Sequence, residues 1–200
     1  MSDLFTEKAQ DWDANEMIKQ LSTAIGGSIL KQVDLKDYMH VLDFGAGTGL
    51  ISAHVAPRVK QIIAVDTSAA MLEKLAAKPE LFGKVEVVCQ DITEKPLDAK
   101  FDLIISAMAM HHVENTKKLF ETFAKHLHPG AKIALADLDY EDGTFHPADA
   151  EGVFHTGFKR STIQSILENN GFSDIQFVTA HTVNKEDKNY PIFLVTATLR

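Results

Sequence analysis

Val41-Leu42-Asp43-Phe44-Gly45-Ala46-Gly47-Thr48-Gly49-Leu50 joins an apolar run, an acid at its carboxyl end, and a turn with glycine at every second position. The apolar run reads as a buried strand, and Leu50, Ile51 and Val55 begin a helix directly behind the turn. Glycine admits positive φ and lets a ligand lie against bare backbone, and the N-terminal amides of the helix face the same ligand. Such a turn suits a nucleotide cofactor. Dinucleotide folds seat a pyrophosphate on G-x-G-x-x-G, whereas this turn reads G-x-G-x-G with Asp43 just before it. A carboxylate there repels a pyrophosphate and attracts a ligand that carries ammonium and sulfonium charges.

The acids after the following apolar runs fall at equivalent places. Gln61-Ile62-Ile63-Ala64-Val65 ends in Asp66, and Lys84-Val85-Glu86-Val87-Val88-Cys89-Gln90 ends in Asp91. In open parallel sheets ligands sit outside the carboxyl ends of the strands, so both acids emerge on the edge that carries the glycine turn. Phe101 to Ser106 is a fourth strand running into Ala107-Met108-Ala109-Met110-His111-His112-Val113, and Leu127 to Leu135 turns into a fifth. Across roughly residues 40 to 138 the chain resembles the class I S-adenosylmethionine-dependent methyltransferases. The resemblance implies an α/β, Rossmann-like, seven-stranded and mostly parallel sheet with helices on both faces and a terminal antiparallel hairpin. It implies S-adenosylmethionine as cofactor, with Asp66 on the ribose hydroxyls and Asp91 on the adenine amino group. Asp43, Gly45, Ala46, Gly47, Thr48, Gly49, Thr67, Met71, Ile92 and Ala107 complete the expected cofactor contacts, and Trp12 matches an aromatic that closes over the cofactor.

Composition narrows the function classes. Two hundred residues with 45% hydrophobic content can bury a sizeable core, and nothing reads as a linker between two cores. The expected organisation is one methyltransferase domain over 1–200: an N-terminal helical cap (1–38), a cofactor-binding core (39–138), a candidate substrate-cap loop (139–158), and a closing helix and hairpin (159–200). The N-terminus lacks the apolar run of a signal peptide and no segment reads as a membrane span, so a cytoplasmic location without membrane contact is expected. The single cysteine, Cys89, excludes an internal disulfide framework and a multi-cysteine zinc site. A formal charge of -8 without a dense basic cluster argues against nucleic acid and favours a small-molecule acceptor. Oligomeric state has no sequence signal here.

Along the chain, Trp12, Ile18, Leu21, Ile25, Ile29 and Val33 recur at helical intervals, with Gly26-Gly27 expected to weaken or bend the run. Ser68 can cap a helix bearing Met71, Leu72 and Leu75, and another helix carries Leu119, Phe120, Phe123 and Leu127 before Pro129-Gly130 stops it. Ser161-Thr162-Ile163-Gln164 has the capping-box form, and Gly171 is a suitable stop. Ile175, Phe177 and the run Pro191 to Ala197 read as two closing strands separated by a polar loop. The stretch from Asp139 to Phe158 is long for a connection and rich in aromatic, acidic and imidazole groups. It reads equally as a substrate cap or as a solvated excursion with a short helix around Pro147 to Val153. Asp137, Asp139, His111, His112, His146 and His155 could ligate a metal, but none has a dedicated spacing, and no metal is expected.

Single residues keep second readings: Asp66 can begin a helix, Asp91 can cap the turn at Ile92-Thr93-Glu94, and a histidine pair at a strand end can serve packing. The implied chemistry asks chiefly for in-line alignment and exclusion of water, because the sulfonium is already an activated methyl donor. A base matters only if the acceptor must lose a proton, and His112, then His111 and His155, are the catalytic candidates. Two other readings remain. A nicotinamide-dependent (NAD) oxidoreductase would also use an acid on a ribose, but the sixth-position glycine and a Tyr-x-x-x-Lys pair are missing. A non-catalytic module would keep the cofactor pocket and act through a partner.

Overall fold

The computed structural model describes residues 3, 5–147, 149–185 and 187–200. Seven strands form one sheet: β1 (His40–Phe44), β2 (Gln61–Asp66), β3 (Val85–Cys89), β4 (Phe101–Ala107), β5 (Leu127–Leu138), β6 (Phe172–Lys185) and β7 (Lys188–Leu199). Their order is β3-β2-β1-β4-β5-β7-β6. All pairings from β3 to β5 are parallel, while β7 runs antiparallel to both β5 and β6. The expected mostly parallel sheet with a terminal hairpin is the fold observed. Strand order reverses between β1 and β4, so the crevice for a ligand lies where these two strands end.

Two-residue alternation sends side chains from each central strand into two cores. Val41, Leu103, Ile105 and Ala134 face one side of the sheet, with α2 (Glu16–Gln32), α3 (Leu50–Val55) and α4 (Ala69–Ala76) supplying Ile25, Ile29, Val55 and Leu75. Leu42, Ile104, Ile133 and Leu135 face the other, under Leu119, Phe120 and Phe123 of α5 (Thr116–Lys125) and Ile163 and Leu167 of α6 (Arg160–Asn169). Each such buried side chain contributes about 1.5–3 kcal/mol relative to exposure. A short helix α1 (Lys8–Asp11) and a 3₁₀ turn, Trp12–Ala14, precede α2. Asn15, Ser68 and Asn115 cap α2, α4 and α5 through side-chain oxygens that accept backbone amides.

Several local expectations are corrected. Trp12 sits in the 3₁₀ turn and not in the long helix. α2 runs unbroken through Gly26-Gly27; a Cβ on Gly26 would lie 2.3 Å from the His54 ring, so the glycine permits close approach of α3. α5 ends before Pro129-Gly130, which instead lies inside β5 at its irregular start. α6 begins one residue before Ser161, with Lys159 at its N-cap and no side-chain cap bond. The base of the preceding loop is tied by Arg160, whose Nε and Nη2 donate to Asp139 at 2.8 and 2.6 Å. The closing strands are longer than expected, with Lys185 paired to Lys188; residue 186 lies outside the described residues. In 139–158, Asp139 bridges Phe158 in parallel, and the described residues of 147–153 form turns without a helix; Ala148 lies outside the described residues. Among the described residues no helix is long and apolar enough to cross a membrane.

Candidate cofactor and acceptor site

The glycine turn leaves β1 with positive φ at Gly45 (66°), Gly47 (54°) and Gly49 (81°). Each glycine has its own reason. A Cβ on Gly45 would lie 2.3 Å from the Ala109 Cβ, and one on Gly49 would lie 2.6 Å from Leu75, whereas Gly47 faces nothing within 4 Å. Gly45 therefore brings the end of β1 against the segment after β4, and Gly47 keeps a bare face toward the crevice. The turn supports itself: Gly45 and Ala46 amides donate to the Val65 carbonyl, the Gly49 amide donates to the Ala46 carbonyl, and the Gly47 amide donates to Asp66 at 2.8 Å.

Behind the turn the electrostatics are unbalanced. Asp43 is 1% exposed and accepts the Ser52 hydroxyl at 2.7 Å. Burial pushes its carboxyl up to about 7, with the neighbouring Asp66 adding to the rise against the Ser52 bonds. Asp66 accepts the amides of Gly47 and Ser68, yet burial still raises it above the ordinary carboxylate value. No lysine or arginine among the described residues pairs with either acid. A pair of desolvated carboxylates of this kind favours a cationic ligand, which meets the requirement read from Asp43.

The remaining expected contacts divide. Thr48 is buried and donates through its hydroxyl to Asp13, which also pairs with Lys78 at 2.6 Å. Ala46, Met71 and Ile92 are packed into the walls, Ala107 is half-buried at the end of β4, and Thr67 is exposed. Asp91 is exposed, and one oxygen accepts the Thr93 amide and hydroxyl, so the turn-capping geometry is present in the structure. That oxygen pair still leaves the second carboxylate oxygen available. Trp12 is half-buried and meets Phe5 edge-on at 6.1 Å; Phe5 in turn meets His112 edge-on at 5.5 Å. Asp3 accepts the Ser68 hydroxyl and the Ala70 amide at the start of α4. The segment from Asp3 to Ala14 thus reaches from α4 to the histidines.

His111 and His112 lie in a 3₁₀ turn, Met110–His112, after β4. The His111 ring is 1% exposed, its Nδ1 is 2.7 Å from the Asp137 Oδ1, and its amide donates to the other oxygen at 3.2 Å. Asp137, at the end of β5, also accepts the Leu138 amide at 2.8 Å. Nε2 of His111 is buried with no partner, as is Nε2 of His146 from the 139–158 loop. The His111 ring centre lies 4.2 Å from His112 and 4.9 Å from His146. His112 donates through Nδ1 to the Gly152 carbonyl at 2.7 Å. Burial, helped by His111, lowers His112 and His146 to about 4, so both are neutral near pH 7. His155 stands apart: its Nε2 donates to the Val113 carbonyl at 2.9 Å and its ring lies against Phe158, so it ties the loop to the end of the 3₁₀ turn. Sequence reasoning left Asp3 and Phe5 out of the site and named Asp137 and His146 only as candidate metal ligands, with His146 also in the candidate cap loop. Asp137 had a further signal as another acid at a parallel strand end, while Asp3 and Phe5 had none. Among the described residues no group of three or more His, Cys, Asp or Glu is arranged to hold a metal ion.

Comparison with known proteins supplies the family. Residues 41–130 match the profile of the methyltransferase domain family. An uncharacterized methyltransferase from Geobacillus kaustophilus is 34% identical over 148 residues, covering 70% of this chain and 67% of its own length. Another from Schizosaccharomyces pombe is 31% identical over 173 residues, covering 77% of this chain; the chain spans 58% of that relative's length. A solved S-adenosylmethionine-dependent methyltransferase from Clostridium acetobutylicum has the same fold, with a TM-score of 0.67 at 21% identity over 90% of this chain and 91% of its own.

Proposed function

The chain belongs to the class I S-adenosylmethionine-dependent methyltransferase family, and from that premise we propose that it transfers the methyl group of S-adenosylmethionine to a small-molecule acceptor. The observation that carries this reading is the uncompensated Asp43–Asp66 pair behind a glycine turn at the strand-order reversal. A ligand with an ammonium and a sulfonium supplies the positive charge the two acids lack, and it seats against the bare Cα of Gly47. The bound cofactor supplies an activated methyl group.

The chain's own part is to orient and to exclude water. Ala109, pressed on Gly45, sets the acceptor side of the crevice beside the cofactor side. Phe5 and Trp12 form an aromatic cover, and His146 and Phe145 of the 139–158 loop close the other flank, their rings 4.9 Å apart and edge-on. This supports reading that loop as a substrate cap. Small-molecule specificity agrees with a net charge of -8 over the 200 residues.

Calorimetric titration with S-adenosylmethionine, S-adenosylhomocysteine and NAD tests the reading. Binding of the two adenosyl-sulfur compounds, weakened about ten- to a hundredfold by Asp66→Ala, is expected from the loss of a hydrogen bond to a charged group. Binding of NAD alone would overturn it.

A further inference from the structure

Among the described residues two imidazole nitrogens are buried without a partner, and both lie in one cluster after β4. A buried polar atom left unpaired costs free energy, and at a functional site it marks a place for a ligand group. The His111 ring is fixed: Nδ1–H donates to the Asp137 carboxylate, which leaves Nε2 as the lone-pair nitrogen of the neutral ring. That carboxylate is held in place by the His111 and Leu138 amides as well. Met110 alone separates His111 from Ala109, whose side chain abuts the glycine turn at Gly45, so the His111 turn follows directly on the crevice wall.

The surroundings of this nitrogen are rings. His112 and His146 tilt against His111 by 44° and 37°, Phe5 meets His112 edge-on at 86°, and Phe145 meets His146 edge-on at 85°. A cavity of about 160 Å³, lined by Glu141, Gly143, His146, Pro147, Ala150, Val153 and Thr156, opens onto His146 from outside. The charged and titratable groups that face His111 are Asp137 from β5, His112 from its own turn and His146 from the loop, with Lys8 of α1 over the Phe5 ring at 5.2 Å. His112 is a weak base near pH 7, because burial lowers it to about 4, and its Nδ1 is committed to Gly152.

Resting on the methyl-transfer reading, we propose that His111 is the general base, that Asp137 is its positioning residue, and that the acceptor is a planar ring bearing an O–H or N–H. The acceptor proton passes to Nε2 of His111 as the acceptor oxygen or nitrogen forms its bond to the methyl carbon. The carbon–sulfur bond breaks, and its electron pair stays on sulfur. The products are the methylated ring, the neutral thioether and an imidazolium paired with Asp137, whose proton then leaves to water. Ring-borne O–H groups are far more acidic than alkyl ones, which brings the transfer within reach of an imidazole, and a flat ring suits the edges and faces that His112, His146, Phe5 and Phe145 present around His111. His146 Nε2 is left to take a second polar group of the same ring.

The test uses the full chain, alone and saturated with S-adenosylhomocysteine, titrated with 4-nitrophenol and with its methyl ether, 4-nitroanisole. The phenol carries the proton and the ether does not, and the absorbance of the bound phenol reports whether the proton has moved. Wild type is expected to bind the phenol at least tenfold more tightly than the ether and to hold it ionised at a pH where the free phenol is neutral. His111→Asn keeps a donor toward Asp137 and removes the base; it should abolish the preference while leaving S-adenosylhomocysteine and ether binding unchanged. Asp137→Asn should raise the pH at which bound phenol ionises, a change that loss of packing alone does not produce. Equal affinities for the two probes, no binding of either, or a preference retained in His111→Asn overturns the proposal. Failure of wild type to bind S-adenosylhomocysteine is a separate result that sinks the methyl-transfer reading itself.

Discussion

Replacing Asp43 by Asn tests the electrostatic account of the site most directly. The carboxyl is raised from 3.8 to about 7 by burial, and the amide keeps its size and still accepts the Ser52 hydroxyl. A carboxylate whose folded value lies above its unfolded one costs nothing in stability below the unfolded value. The cost grows as pH rises between the two and is complete above the folded value. With these values the ionised acid destabilises the ligand-free fold by about 1.5 kcal/mol near pH 5 and about 4 kcal/mol near pH 8. The new amide carries a pH-independent cost of about 1–3 kcal/mol for its unpaired N–H groups. Asp43→Asn should therefore gain on wild type by about 2–3 kcal/mol between pH 5 and pH 8, whatever the offset. Histidine titrations cancel in that difference. Urea unfolding of both ligand-free proteins at the two pH values measures it, and a swing below about 1 kcal/mol would refute the reasoning. The same variant should bind S-adenosylmethionine about tenfold or more weakly, because the ligand loses its anionic partner.

Gly47→Ala and Gly45→Ala should separate ligand contact from fold. Both take positive φ, costing about 1 kcal/mol, but only the Gly45 substitution also drives a Cβ into Ala109. Thermal melts should show a small loss for Gly47→Ala and a larger one for Gly45→Ala, with cofactor affinity falling in both; a normal affinity in Gly47→Ala would remove that face from the site. His112 and His146 are lowered to about 4, below the unfolded histidine value of 6.5, so their contribution is present above pH 6.5 and lost as pH falls toward 4. The double variant His112→Gln/His146→Gln should show a shallower fall of stability between about pH 6.5 and 4 than wild type, measured by denaturant midpoint. Parallel slopes would mean that the two rings are solvated in the folded protein.

How far residues alone carried the fold depended on how local each signal is. Alternating apolar runs, strand-end acids and the side-chain cap at Ser68 act within a few residues, and the sheet, its order of strands and helices and the glycine turn follow from them. Gly26 and Ser161 misled for the same reason. The first answers to His54 across a helix pair, and the second follows an arginine that is tied back to Asp139; His54 and Asp139 are both far away in sequence.

The acceptor side shows the same division more sharply. His111 and His112 are neighbours of identical type, and nothing local ranks one above the other. Burial lowers His112, and Asp137 orients His111 from a strand that lies beside β4 only because the sheet pairs them. Sequence by itself determined the cofactor class and pointed to the edge of the sheet proposed for it, because glycine conformations and strand ends are properties of short segments. Tertiary structure alone decided which acids stay unpaired, which histidine keeps a free nitrogen and which loop closes over it, because desolvation and contact depend on what the rest of the chain brings near.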